Sequence, residues 1–496
     1  MAHSALLPLS KDRIAQRIHA ALANKLRAEE YRDPEESRLQ GRALRKEVPR
    51  TSQAVFEPAA DRPDPVALLK EQGASRLQSL LPLRYERMAV SPFTFYRGAA
   101  LIMAQDLSTQ PKTGINVQLC GDAHVSNFGF YLSPERRTVF DLNDFDETAR
   151  GPWEWDVKRL AASLEICGRD RAFGKTVTRE VVVASVRSYR ETMNELAEMG
   201  NMDVYYAHSD VDDMLLQDLN GAVSKQDDKM LRKTVAKAKA KGSQRAVSKL
   251  TEVVDGELRI ISNPPTIVPL RDADSNLSEA ARKVMGVDNM ADFVNKTLTE
   301  YRLTLPTAQR RLVEQYRGVD VGLKVVGVGS VGTRAWIVVL EGAGPNDPLV
   351  LQIKEAQESV LERFCGRAPQ REHGHRVVSG QRAIQAVSDP LLGWCRLPDR
   401  GGEMRDYYVR QLWDGKGSPD LANISEVGLL MLARACGTAL ARAHARTGNR
   451  FAISAYLGKG GKFDNAIADF AVAYADQNDR DYERFIQALE AGELEA

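Results

Sequence analysis

Cysteine is scarce and shows no pairing pattern in this sequence. Cys120, Cys167, Cys365, Cys395 and Cys436 are odd in number, widely scattered and contain no CxxC pair. That argues against a disulfide framework or a zinc ribbon and favours a reducing compartment. Net charge is nearly absent as well. Lysine and arginine total 68 against 67 acidic residues, a formal +1, so no global field points to nucleic acid or an anionic membrane. No apolar run approaches the length of a bilayer span, and residues 1–9 lack the charged start and apolar core of a signal peptide. The expectation is a cytoplasmic protein without nucleic-acid or membrane partners. Its apolar content of 43% and charged content of 27% are those of an ordinary globular protein. Its 496 residues suit several domains, or one two-lobed enzyme with insertions.

What is present is concentrated in residues 117–147, VQLCGDAHVSNFGFYLSPERRTVFDLNDFDE. Val117, Leu119, Val139, Phe140 and Leu142 predict two short buried strands, which places Asp122, His124, Asn127, Asp141, Asn143, Asp144 and Asp146 at strand ends and in turns. Carboxylates and an amide converging there offer hard oxygen ligands to a divalent cation, plus a carboxylate to orient a nucleophile. The bland alternative is a pair of solvated acidic turns, which the apolar flanks disfavour. Directly after it, GPWEWDVKRLAASLEIC predicts a turn into an amphipathic helix, with Asp156 near the start, either neutralising free amides or bracing the neighbouring loop.

The second informative region is 321–362. It reads as strand, glycine turn, strand, loop and a further strand that ends in Lys354. Gly327, Gly329 and Gly332 spell GxGxxG, a pattern weak by itself. The stretch after Gly332 alternates and is β-branched, so the glycines join two antiparallel strands and do not open a dinucleotide-binding helix. Helices are expected at 374–387 and 426–446, a strand at 406–412, and a hinge-like loop after it. Arg84, Arg87 and Arg97 either face an anion or pair with local carboxylates. The basic run 225–249 lacks interleaved aromatics and reads as a solvated helix face. The His373/His375 pair has no companion ligands at a metal-binding spacing.

Asp122 and Asn127 have the spacing of a kinase catalytic loop, and Asp144 in NDFD follows about one strand later. This resembles the aminoglycoside and choline kinase branch of the kinase superfamily, with its HGDxHxxN loop and DFD strand end. Here the loop is CGDAHVSN, with Cys120 in place of the first histidine. The glycine hairpin and lysine follow the loop instead of preceding it, and a circular permutation reconciles the two orders. ALARAHA at 439–445 resembles the lead-in helix of that loop, with 95–106 as a rival. SPFTFYRGAA, CGDAHVSNFG, FDLNDFDET and GPWEWDVKRLAAS also resemble the bacterial domain of unknown function family 2252, a likeness that brings little function with it.

The resemblance implies an α+β, two-lobed protein-kinase-like fold, circularly permuted, with helical additions. Residues 1–65 would be an arm and linker and 66–315 the catalytic-loop region. Residues 316–415 would form the small lobe and hinge, and 416–496 the helices completing the large lobe. Asp122, His124 and Lys354 would act in catalysis, while Gly327, Gly329, Ser330, Gly332 and Lys354 would bind the nucleotide phosphates. Asn127 and Asp144, with Asp141 and Asp146 as supporting or alternative ligands, would hold magnesium or manganese. The expected ligands are ATP or another nucleoside triphosphate and a small-molecule acceptor. Two further readings are a nucleotide-sensing pseudokinase and a metal-dependent hydrolase built on Asp122, His124 and Asp144. Gln352 stands where the kinase strand has the alanine beneath adenine, and Glu358, Glu362 and Glu372 compete as partners of Lys354.

Overall fold

The computed structural model describes residues 31–495 apart from 211–246, 248–249, 272–289, 326, 328, 399–401 and 413–416. Nearly all of the basic run lies outside the described residues, as does the first part of the arm. The chain opens with α1 (Pro34–Glu47), α2 (Pro65–Gly73), α3 (Leu81–Met88), α4 (Pro92–Gly98) and α5 (Ala100–Ser108). Asp33 and Asp64 cap α1 and α2 through their carboxylates, each followed by a proline in the first turn, where its missing N–H costs nothing. The single helix expected at 95–106 is two, broken at Ala99, whose φ of −107° and ψ of 35° leave the helical region.

Four short strands follow: β1 (Asn116–Leu119), β2 (Phe128–Leu132), β3 (Thr138–Leu142) and β4 (Ala149–Pro152). β2 pairs with β3 and β1 with β4, both antiparallel. They lead into α6 (Glu154–Asp170) and α7 (Lys175–Leu196), and then a hairpin of β5 (Thr251–Val254) and β6 (Glu257–Ile260). Next come β7 (Ile267–Pro269), α8 (Met290–Leu303), β8 (Arg317–Lys324), β9 (Ala335–Glu341), β10 (Pro348–Ala356), α9 (His373–Ile384), β11 (Gly393–Pro398) and β12 (Met404–Gln411). The chain closes with α10 (Glu426–Thr447), α11 (Arg450–Leu457) and α12 (Lys462–Glu490).

The result is a mixed α+β fold. One sheet carries six strands in the order β11-β12-β10-β9-β8-β7, every neighbouring pair antiparallel. Alternation divides its side chains. Trp336, Val338, Leu340, Leu351 and Ile353 enter one apolar core with Tyr301 of α8, whereas Ile337, Val339 and Val350 face the other way, against Leu250, Leu258, Ile260 and Leu412. Each such fully buried side chain contributes about 1.5–3 kcal/mol.

The helical part packs α6, α7, α10, α11 and α12 around Trp153, Tyr189, Leu440, Tyr456 and Phe463. Gly437 permits the closest approach, since a Cβ there would meet the Ser185 carbonyl oxygen at 2.1 Å. α10 and α7 therefore touch backbone to backbone. The end of α10 lies against β1, where Thr447 Oγ1 accepts from Gln118 N at 3.2 Å. Among the described residues no helix is long and apolar enough to cross a membrane.

Candidate active site

The loop after β1 is held open by its own backbone and braced from α6. Gly121 has φ +87°, and a Cβ there would meet the Glu147 carbonyl oxygen at 2.1 Å, so only glycine fits. Asp156, in the first turn of α6, accepts hydrogen bonds from Cys120 N at 2.7 Å and Gly121 N at 3.0 Å. Of the two roles expected for it, bracing the loop is the one observed. Nε2 of the buried His444, from α10, lies 3.4 Å from the same carboxylate. One helical turn along, Arg159 binds Asp122 Oδ1 through Nε at 2.9 Å and Nη2 at 2.8 Å. Sequence reading missed Arg159, although its i+3 spacing from Asp156 puts both on one helix face.

Burial raises the Asp122 pKa and Arg159 works against it. His124 Nε2 stands 3.6 Å from Asp122 Oδ2, and burial, with the Arg159 and Arg97 cations, pushes its pKa well down. Both effects favour its neutral form. Asn127 donates from Nδ2 to the Asp122 carbonyl at 2.7 Å, and its own carbonyl accepts from Asn143 N at 2.9 Å, tying the loop to the end of β3.

The six-stranded sheet meets this loop at Lys354. Its strand continues two residues further than expected, to Ala356. The Lys354 ammonium is buried, contacts Asp146 Oδ2, and lies 3.7 Å from Asp144 Oδ1. Tyr408 of β12 donates to Asp146 Oδ1 at 2.9 Å. Burial, followed by repulsion from Asp146, raises the Asp144 pKa. Asp146 goes the other way: burial opposes its ionisation, but the Lys354 charge and the bonds from Lys354 and Tyr408 hold its pKa below the ordinary value. Asp146, expected in a supporting place, thus holds the principal contact to the lysine. None of Glu358, Glu362 and Glu372 forms an ion pair with Lys354 among the described residues. Glu362 instead accepts from Ser359 N at 3.1 Å. Arg376 of α9 ties the sheet side to the loop, donating to the carbonyls of Asp146 at 2.9 Å and Gln357 at 2.8 Å.

Asp122, Asp144, Asp146, Gly329 and Ser330 line one pocket of about 30 Å³ together with Arg97. Gly332 faces another neighbour: its carbonyl accepts from Leu77 N at 2.8 Å, and Arg76 binds the Val331 carbonyl at 2.6 Å. Gly327 is exposed. Asp141 lies apart. It is buried against Arg446 and Arg442 of α10 and against His208, and burial lifts its pKa to about 6. Of the three arginines considered for an anion, Arg97 lines the pocket. Arg84 is buried, bonded to Gln72 and the Gly98 carbonyl, and Arg87 lies in the last turn of α3. His375 stacks on Trp394 at 4.2 Å between ring centroids.

Among the described residues no group of three or more His, Cys, Asp or Glu side chains is arranged to hold a metal ion. Magnesium does not need such a cage, since it keeps waters and takes one or two carboxylates with substrate phosphates. Asp144 Oδ1, buried without a hydrogen-bond donor, fits that mode, while Asn127 is bonded through its amide nitrogen to the Asp122 carbonyl and is not among the residues lining the pocket.

A family model described as an uncharacterized protein conserved in bacteria (DUF2252) matches residues 76–488. No curated protein and no solved structure matches the chain.

Proposed function

We propose, for a chain that belongs to the uncharacterised bacterial DUF2252 family, a kinase-like phosphotransferase that uses a nucleoside triphosphate and magnesium to modify a small-molecule hydroxyl. One observation carries the reading. Lys354 from the six-stranded sheet and Asp144 and Asp146 from the loop after β3 converge beside Asp122, although about two hundred residues separate them in the chain. The strand order supports a permuted kinase-like arrangement, as does the contact between the end of α10 and β1.

In this reading the backbone at Gly329 and Ser330 covers the phosphates and Lys354 neutralises them, while Gly327 and Gly332 shape the turn. The acceptor hydroxyl is oriented by Asp122. Its oxygen bonds to the transferred phosphorus, its proton passes to the Asp122 carboxylate, and the bond from that phosphorus to the leaving phosphate oxygen breaks. Asp144 would hold magnesium, which supplies charge neutralisation. The buried His124 positions Asp122. Positioning and charge account for most of the rate gain in such chemistry.

The test is turnover. Purified protein with magnesium and each common nucleoside triphosphate should consume nucleotide in the presence of a suitable acceptor, and Asp122→Asn should abolish this. Neither binding nor turnover of any triphosphate would defeat the reading. A second reading, a nucleotide-sensing pseudoenzyme, is favoured by Cys120, which stands where the kinase-type loop has its first histidine. It predicts stabilisation by nucleotide with no product.

A further inference from the structure

The cleft beside Lys354 has two sides, and they differ in what fills them. On one side lies the sheet face carrying Gln352, which shares its orientation with Lys354 two residues along. Gln352 is 2% exposed and accepts from Arg410 Nε at 3.0 Å, and Arg410 Nη1 reaches the Asn143 carbonyl at 3.3 Å. The sheet is thereby tied to the loop before Asp144. Beyond that bridge the same face, Ile337, Val339 and Val350, is covered by Val247, Leu250, Leu258, Ile260 and Leu412. A flat aromatic base has no room there without displacing the chain's own core.

On the other face of the strand end, where Glu355 points, the space is open. A cavity of about 610 Å³ lies between α2 and the stretch after β10, lined by five arginines, Arg76, Arg371 and Arg405 among them, and by six carboxylates, Asp146, Glu147 and Glu355 among them. It reaches Asp146 and Gly329, which it shares with the small pocket containing Asp122. Its volume lies within the range of small-molecule sites. Arg76 is 8% exposed, yet its Nε is buried without a hydrogen-bond partner. The carboxylates of Glu147 and Asp146 already act on its charge, and a further acceptor at Nε would relieve the remaining cost.

We propose that the nucleotide binds from this side: its base and sugar occupy the cavity between α2 and the stretch after β10, and its phosphates run past Arg76 and Gly329 toward Lys354 and Asp122. The direction is the reverse of one in which the base lies under the sheet at Gln352. It rests on the phosphotransferase reading of the cleft and adds the sense in which the ligand enters.

The experiment is photolabelling of the full chain by 8-azidoadenosine triphosphate with magnesium, followed by peptide mapping, alongside equilibrium binding of ATP to Ser75→Trp. Ser75 is an exposed lining residue whose enlargement narrows the cavity. The expected label falls within 355–371 or 404–406, is competed by ATP, and Ser75→Trp weakens ATP binding at least about tenfold. Label confined to 247–260 or 350–352, with binding by Ser75→Trp unchanged, overturns the orientation and leaves the phosphotransferase reading standing. If the wild-type chain binds no triphosphate at all, both fall together.

Discussion

The buried Lys354 ammonium and the partly buried Asp146 carboxylate form an ion pair across 208 residues of chain, joining the six-stranded sheet to the loop that follows β3. Its partners extend on both sides. Tyr408 donates to the same carboxylate, and Asp144 stands 3.7 Å from the ammonium.

Removing one partner leaves the other charge uncompensated where water reaches it poorly, which is the costly way to break such a pair. Lys354→Met should therefore destabilise the protein by about 3 kcal/mol in urea unfolding. Combined with Asp146→Leu, the loss should be smaller than the sum of the two single losses. Additive losses would mean that the two side chains do not interact in solution.

Asp141 lies within β3 and Asp144 just beyond its end, and their substitutions should differ in their response to ligand. With magnesium and ATP at about a hundred times the dissociation constant, mass action stabilises the folded wild type by about 2.7 kcal/mol. Asp144→Asn should lose most of this thermal shift, whereas Asp141→Asn, at a position that faces Arg442 and Arg446, should keep it. The comparison needs only melting curves with and without ligand.

The brace under the loop makes a third prediction. Asp156→Ala leaves the Cys120 and Gly121 amides without their acceptor, and each orphaned buried donor costs about 1–3 kcal/mol. Unfolding should show a loss of about 2–5 kcal/mol, and faster hydrogen exchange should concentrate in residues 119–127. Asp156→Asn, which keeps one oxygen acceptor, should lose less.

These contacts separate what can be read from the sequence from what cannot. The meeting of Lys354 with Asp144 is legible, and so is the Asp156 brace as one of two roles. The brace follows from a local rule, a carboxylate at a helix start, whereas the meeting follows only from the likeness to a kinase in rotated order. The covering of the glycine turn by Arg76 and Leu77, and of the sheet face by β5 and β6, is not legible. Periodicity marks a face as buried without naming what buries it. Asp141 shows the same limit. It shares the acidic stretch with Asp144, but the alternation of β3 turns it toward α10.

That orientation gives Asp141 a measurable pH signature. Its pKa rises from 3.8 to about 6 because burial disfavours the charged form more than Arg446, the Leu142 amide and Arg442 favour it. Between about pH 4 and 6 the folded protein therefore keeps a proton that the unfolded chain has released. The folded state binds more protons, so this group lowers stability as pH rises through that window, the reverse of a salt-bridged aspartate. The uncharged amide of Asp141→Asn carries no such loss, while its oxygen can still accept from Leu142 N, as Asp141 Oδ1 does at 2.8 Å. Asp141→Asn should match the wild type near pH 4 and exceed it near pH 7 by about 1–3 kcal/mol, read from urea unfolding across the range. A difference that does not change with pH would mean that Asp141 titrates at its ordinary value, and that the arginines of α10 fully offset its burial.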